Sequence, residues 1–255
     1  MPWNPEQYLK FQRERFLPFD DLMALIRRRP GMQVVDLGCG SGELTARLAD
    51  LLPGSDVVGI DSSPEMLERA RTRARRGVRF EVGDLAEVEG KWDLVFSHAA
   101  IHWVGNHEEL VPRLMGLVRP GGQLAVQLPS NHDHMTHRAI EEIAGEEPFR
   151  TALGGWVRRV PVLTIARYAD LLHAHGGREL TVLEKVYPHE LPDADAVAEW
   201  TRGTTMVPYL DRLPERLRNE FLDRYRSRLR THWQQGPVFY GFRRILFTAT
   251  QSRNT

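Results

Sequence analysis

The sequence predicts an α/β chain built on a mostly parallel sheet with helices on both of its faces. Two features of the first half of the chain carry that prediction: short apolar runs alternate with helical stretches, the pattern of repeated βαβ units, and acidic residues close several of the runs, at the carboxyl ends where such sheets hold their ligands. A third is the turn after the first run, where Gly38, Gly40 and Gly42 recur at every second position as a strand gives way to a helix.

Composition narrows the function classes. The 255 residues carry 34 basic and 34 acidic side chains, so the net charge is zero. A chain that binds a nucleic-acid backbone normally carries a basic excess, so no nucleic-acid partner is expected. Cys39 is the single cysteine, which rules out an internal disulfide and fits a reducing, cytoplasmic setting; inside a tight turn it acts as a small apolar residue. The N-terminus lacks a basic stretch followed by an apolar one, and no apolar run reaches the length of a membrane span. A soluble monomer or homodimer without a membrane partner is the expectation.

The elements follow in order. Across residues 5–29, Tyr8, Leu9, Phe11 and Phe16, then Leu22, Leu25 and Ile26, fall at helical spacing. This predicts two helices separated by Pro18 and ended by Pro30-Gly31. Helices placed there either fold over the mouth of a ligand site or pack on the sheet edge. Strands are predicted in the short apolar run that leads into Asp36 within 33–42, and at residues 56–61, 78–84, 92–98 and 123–129, and helices at 42–52, 64–75 and 108–117. Ser62-Ser63-Pro64-Glu65 starts the second of these helices with a serine cap, a proline in the first turn and an acid near the positive end of the dipole. Beyond residue 130 the alternation breaks. Helical pieces at 136–147 and 164–175 lead to an extended run at 179–190, two more helices at 193–201 and 214–231, and an apolar strand at 242–250. The organisation expected is lid helices in 1–30, a ligand-binding core in 31–130, a cap region with further sheet elements in 131–240, and a last core strand and tail in 241–255.

The glycine turn indicates the ligand. A dinucleotide fingerprint places its third glycine five positions after the first, at residue 43, but here the third glycine is Gly42. Asp36, just before the turn, would repel a pyrophosphate and suits a cationic or zwitterionic ligand. Asp61 closes the second strand about two dozen residues after Gly38, where a carboxylate can accept both hydroxyls of a ribose. Asp36-Leu37-Gly38-Cys39-Gly40-Ser41-Gly42 resembles the first motif of the Rossmann-like S-adenosylmethionine-dependent methyltransferases. That resemblance implies a Rossmann-like seven-stranded sheet with N-terminal lid helices and a helical cap insertion, and S-adenosylmethionine as cofactor with S-adenosylhomocysteine as product. It also implies that Asp84 and Leu85 meet the adenine and that Ser97 and His98 flank the methyl group. Ser62, Tyr8 and Arg15 complete the cofactor residues it suggests.

The rest of the chain carries a narrower resemblance. Trp3-Asn4-Pro5, His102-Trp103-Val104 with His107, Ala125-Val126-Gln127-Leu128-Pro129 with Asn131, Tyr187-Pro188-His189-Glu190-Leu191, Glu199-Trp200-Thr201, Val207-Pro208 and Phe242-Arg243-Arg244-Ile245-Leu246-Phe247 are similar to the trans-aconitate 2-methyltransferase family. The chain departs from that pattern at Pro188 and at His98, where a smaller amide is expected. The family methylates one carboxylate of trans-aconitate. A polycarboxylate needs cationic forks and hydrogen-bond donors, which makes Arg243, Arg244 and Arg15 candidates, with Trp200 and Trp3. His98, Tyr187 and His189 are candidates to position the acceptor. Rival expectations are another small polycarboxylate, a malonyl thioester on a carrier protein docked through the basic helix at 214–231, and a noncatalytic cofactor-binding protein. His132, His134 and His137 lie close together, but no cysteine or carboxylate is arranged with them and no metal site is expected. His102 and His107 are expected to pack around Trp103.

Overall fold

A computed structural model describes residues 12–253. Its centre is a seven-stranded sheet in the order β3-β2-β1-β4-β5-β7-β6. The strands are β1 (Gln33–Leu37), β2 (Asp56–Asp61), β3 (Val78–Val82), β4 (Trp92–His98), β5 (Val118–Pro129), β6 (Gly177–Leu191) and β7 (Val238–Gln251). β1 pairs in parallel with both β2 and β4, and the parallel set continues to β3 on one side and β5 on the other. β7 runs antiparallel to β5. After β3 the chain crosses to the far side of β1, so the strand order reverses between β1 and β4. In such sheets that reversal opens a crevice at the carboxyl ends of the two strands, and ligands bind there.

The described residues form two compact units. The first comprises Arg15–Pro129, Pro161–Lys185 and the chain from Arg244 onward. Its helices are α1 (Gln12–Ala24, from Arg15), α2 (Glu43–Asp50), α3 (Pro64–Arg71), α4 (His107–Leu117) and α7 (Ile165–Ala174). Because side chains alternate across each strand, the sheet supplies an apolar layer to both faces. On one face Val35, Val95, Leu124, Val126 and Phe247 pack against Leu110, Val111 and Leu114 of α4 and Tyr168 and Leu172 of α7. On the other, Val34, Leu94, Phe96, Ala125 and Leu246 meet Phe19, Leu22 and Met23 of α1 and Leu48 of α2. The second unit comprises Ser130–Val160 and Val186–Arg243. Its core is built by α5 (Met135–Ala144), α6 (Phe149–Ala152), α8 (Ala194–Arg202), α9 (Val207–Arg212) and α10 (Glu215–His232).

The structure corrects several expectations. One helix, α1, runs straight through Pro18, where the sequence predicts a break between two. Pro18 is buried and Phe19, Leu22 and Met23 just beyond it are almost fully buried, so packing offsets the backbone hydrogen bond that the proline cannot make. The helix at Val207–Arg212 was not expected from the sequence; Pro208 sits in its first turn, where a missing N–H costs nothing. Nor do His102 and His107 share Trp103. His102 lies in a short 3₁₀ turn with its ring 4.9 Å from Trp103, whereas His107 is buried at the start of α4, with its ring 5.9 Å from that of Tyr168.

The His107 contacts fix its tautomer. Ile101 O, 2.9 Å from Nε2, can only accept, so Nε2 carries the proton and Nδ1 accepts from the Tyr168 hydroxyl at 2.5 Å. That hydroxyl in turn accepts the Leu163 N–H at 3.2 Å. Burial pushes the imidazole pKa below its ordinary value, which keeps the ring neutral and the chain of hydrogen bonds intact. Tyr168→Phe leaves Leu163 N–H and His107 Nδ1 without partners, and should cost about 1–3 kcal/mol in a urea denaturation series, with the slope unchanged.

Candidate active site

At the carboxyl end of β1 the backbone N–H groups of Gly38 and Cys39 both donate to Ile60 O, at 2.8 and 3.0 Å. Asp61 completes the link to β2. Its Oδ2 accepts the Gly40 N–H at 2.8 Å and its Oδ1 the Ser63 N–H at 2.9 Å. One side chain therefore fixes the glycine turn and the start of α3 together, and each carboxylate oxygen keeps a second lone pair for a ligand hydroxyl. Ser62 is exposed beside it, while Ser63 caps α3 by accepting the Met66 N–H at 3.3 Å.

The three glycines have different reasons to be glycine. A Cβ on Gly38 would stand 2.2 Å from that of Ala100, and one on Gly42 would stand 2.7 Å from the Phe80 ring and 2.9 Å from Ala70. Close packing within the protein therefore excludes side chains at both. A Cβ on Gly40 would meet no atom of the described residues within 4 Å, yet its φ of +54° is one that side-chain-bearing residues rarely adopt. Gly40 is thus the position where the turn opens onto free space, whereas at Gly38 and Gly42 the missing Cβ serves packing within the protein.

Asp36 is buried beneath the turn and accepts the Thr45 hydroxyl at 2.6 Å. Burial, opposed by Thr45 and reinforced by the nearby charge of Asp61, pushes its pKa up to about 7. A cation arriving at the turn would favour the ionised form. Asp84 is exposed after β3, its Oδ1 accepting the Ala86 N–H at 2.8 Å, and Leu85 lies 3.7 Å from the Cβ position of Gly38. Ser97 is fully buried and donates to Leu37 O at 2.9 Å, so its hydroxyl holds β4 to β1. His98 ends β4 with its ring 6.1 Å from Phe19. Trp3 and Tyr8 lie outside the described residues, as does the side chain of Arg15.

The other candidates divide. Arg243 and Arg244 are consecutive on a strand, so they face opposite sides. The Arg243 guanidinium pairs with Asp133, and its backbone N–H donates to Asn131 Oδ1 at 2.9 Å. Arg244 stands opposite Pro129 on β5, with its Nη1 buried. In the second unit, His189 lies 4.7 Å from Trp200, which lies 6.0 Å from Phe242 and 6.1 Å from Tyr240, and Tyr187 is buried at 3% exposure. His134 accepts the Thr136 N–H and stacks on Trp233. His137 bonds Thr136 and Thr205 through its two ring nitrogens, and burial pushes its pKa down to about 3. Among the described residues no group of three or more His, Cys, Asp or Glu stands together as a metal site. Sequence reasoning passed over Gln127, a polar residue in the apolar run from Leu124 to Leu128; that contrast was its only signal.

Residues 28–161 match a family model described as a methyltransferase domain. A trans-aconitate 2-methyltransferase of Deinococcus radiodurans is 48% identical to this chain over 98% of it and 99% of the relative. The chain belongs to the trans-aconitate 2-methyltransferase family. A second relative of that name, from Rhizobium meliloti, is 39% identical over 99% of this chain and 100% of its own. The crystal structure of the YcgJ protein from Bacillus subtilis has the same fold, with a TM-score of 0.62 and 13% identity over 94% of this chain and all of that one. Within this family the chain is an S-adenosylmethionine-dependent methyltransferase, and the open turn at Gly40, the lone pairs of Asp61 and the buried Asp36 carboxylate fit a cationic nucleoside cofactor. Among the described residues no helix is long and apolar enough to cross a membrane.

Gly40→Ala and Gly42→Ala should separate the two roles. The first should weaken cofactor binding at least tenfold in calorimetry while costing about 1 kcal/mol of stability. The second forces Phe80 or Ala70 to move and should cost about 1–3 kcal/mol or more on top of that backbone penalty.

Proposed function

We propose that this chain transfers the methyl group of S-adenosylmethionine to a carboxylate of trans-aconitate, leaving a monomethyl ester and S-adenosylhomocysteine. The observation that carries this reading is that the similarity to proteins of that name runs the whole length of the chain, second unit included, rather than stopping at the methyltransferase domain. The strand-end geometry supports it. When bound, S-adenosylmethionine supplies an electrophilic methyl group on a sulfonium. Asp61 holds the ribose hydroxyls, Asp36 offers negative charge beneath the turn, Gly40 leaves the backbone open to close approach, and Asp84 and Leu85 border the adenine.

The acceptor makes few chemical demands. A carboxylic acid with an ordinary pKa near ~4 is ionised at neutral pH, so no general base is required. The work of the protein is placement: holding two reactants in attack geometry can supply roughly 7–11 kcal/mol. A free small-molecule acceptor and a reducing cytoplasmic setting belong to this reading, supported by zero net charge and a buried lone thiol. The carrier-protein rival needs a basic docking face on α10, and the ion pairs there speak against one. Arg224 pairs with Glu146 and Glu220, Arg226 with Glu199 and Asp223, Arg228 with Glu142 and Glu146, and Arg230 with Asp195.

Transfer of labelled methyl to trans-aconitate, cis-aconitate, citrate, isocitrate and a malonyl-carrier thioester, followed by mild alkali, tests the proposal. Turnover of trans-aconitate with alkali-released label is expected. Label on another acid moves the substrate and keeps the chemistry. Cofactor binding without transfer to any of them would leave the proposal without support.

A further inference from the structure

Gln127 is fully buried in β5, and among the described residues neither its Nε2 nor its Oε1 has a hydrogen-bond partner. Its backbone is otherwise committed, its carbonyl accepting the Ala99 N–H at 2.8 Å. Leaving an amide buried and unpaired is costly, and a leucine would fill the same space without that cost. An unpaired polar side chain at the carboxyl end of a parallel sheet calls for a ligand.

The strand register shows which ligand. Phe96 pairs with Ala125, and two residues further on His98 pairs with Gln127, so all four share one face of the sheet. It is the α1 face, because the Phe19 ring lies 5.8 Å from Phe96 and 6.1 Å from His98. Across β5, Gln127 pairs with Leu246, and Arg244 lies two residues earlier on β7, on that same face. Three adjacent strands therefore bring an imidazole, an amide and a guanidinium into one row. At the β4 end of the row, Ala100 abuts Gly38 of the cofactor turn. Such a row offers hydrogen-bond donors and one fixed positive charge, the set that takes a carboxylate.

We propose that Gln127 binds the acceptor, its Nε2 donating to a carboxylate of the polycarboxylate, between His98 and Arg244. This inference rests on the methyl transfer proposed above and adds to it the residue that orients the acceptor. The side chain touches substrate and leaves cofactor binding to the turn at Gly40.

Gln127→Leu, Gln127→Met and Gln127→Glu test it, with three readouts: KM for the acceptor, cofactor affinity by calorimetry, and melting temperature. The leucine and methionine variants should raise KM about 10- to 100-fold, keep cofactor affinity within about twofold, and melt at or above the temperature of the parent. The glutamate variant sets a carboxylate against the acceptor and should lose more. An unchanged KM in the leucine variant would overturn the proposal, whether or not its melting temperature falls, since the amide would then be a structural or hydrated group. If the parent enzyme binds cofactor but methylates no acid tested, the function reading fails, and Gln127 is judged by calorimetry of trans-aconitate binding to the S-adenosylhomocysteine complex. Weaker binding in the leucine variant supports the proposal, and equal binding overturns it.

Discussion

The Asp61 carboxylate joins three pieces of backbone that chain connectivity alone would leave loose. It pins Gly40 in its left-handed conformation, holds the end of β2 against the turn, and anchors the N–H of Ser63, the cap of α3. The same turn approaches Ala100 at Gly38 and packs on Phe80 at Gly42. In the function proposed above, Asp61 is also the residue that receives the ribose. On that proposal a single side chain would couple the conformation of the turn to the occupancy of the site, because a ligand hydroxyl on its remaining lone pairs would join the same junction.

Around this junction charge is graded by burial. Asp61 and Asp84 remain accessible at the strand ends, whereas Asp36 lies beneath the turn with its pKa near 7. A ligand bringing positive charge to the turn would favour the ionised form of that buried carboxylate. No acid or base is required on the acceptor side, since a carboxylate arrives ionised. Catalysis on this account is placement: a rigid turn for one reactant and a row of donors for the other.

Much of this was legible in the sequence because it is local. The alternation of strands and helices, the Ser63 cap on α3 and the acids at the strand ends depend on neighbours a few residues apart. Distant partners decided what was not legible. Gly42 is required by Phe80 and Ala70, which lie dozens of residues away, and nothing in the turn itself distinguishes it from Gly40. Pro18 stays within α1 because burial of Phe19 and Leu22 outweighs a lost hydrogen bond, a balance that spacing cannot weigh. The pairing of Arg243 with Asp133 spans more than a hundred residues. The opposite facing of Arg243 and Arg244 was within reach, since it follows from strand alternation alone. Gln127 stood in plain view as one polar residue in an apolar strand, but that it lacks a partner among the described residues becomes visible only when the sheet is assembled.

The central claim is that the methyl group passes directly from cofactor to a positioned carboxylate, with no residue of the protein acting as an intermediate nucleophile. The stereochemistry of a chiral methyl group, carrying protium, deuterium and tritium, tests it most directly. Inversion of configuration in the ester is the result predicted, since one in-line displacement inverts the carbon. Retention would require two displacements through a methylated residue, and would contradict the account.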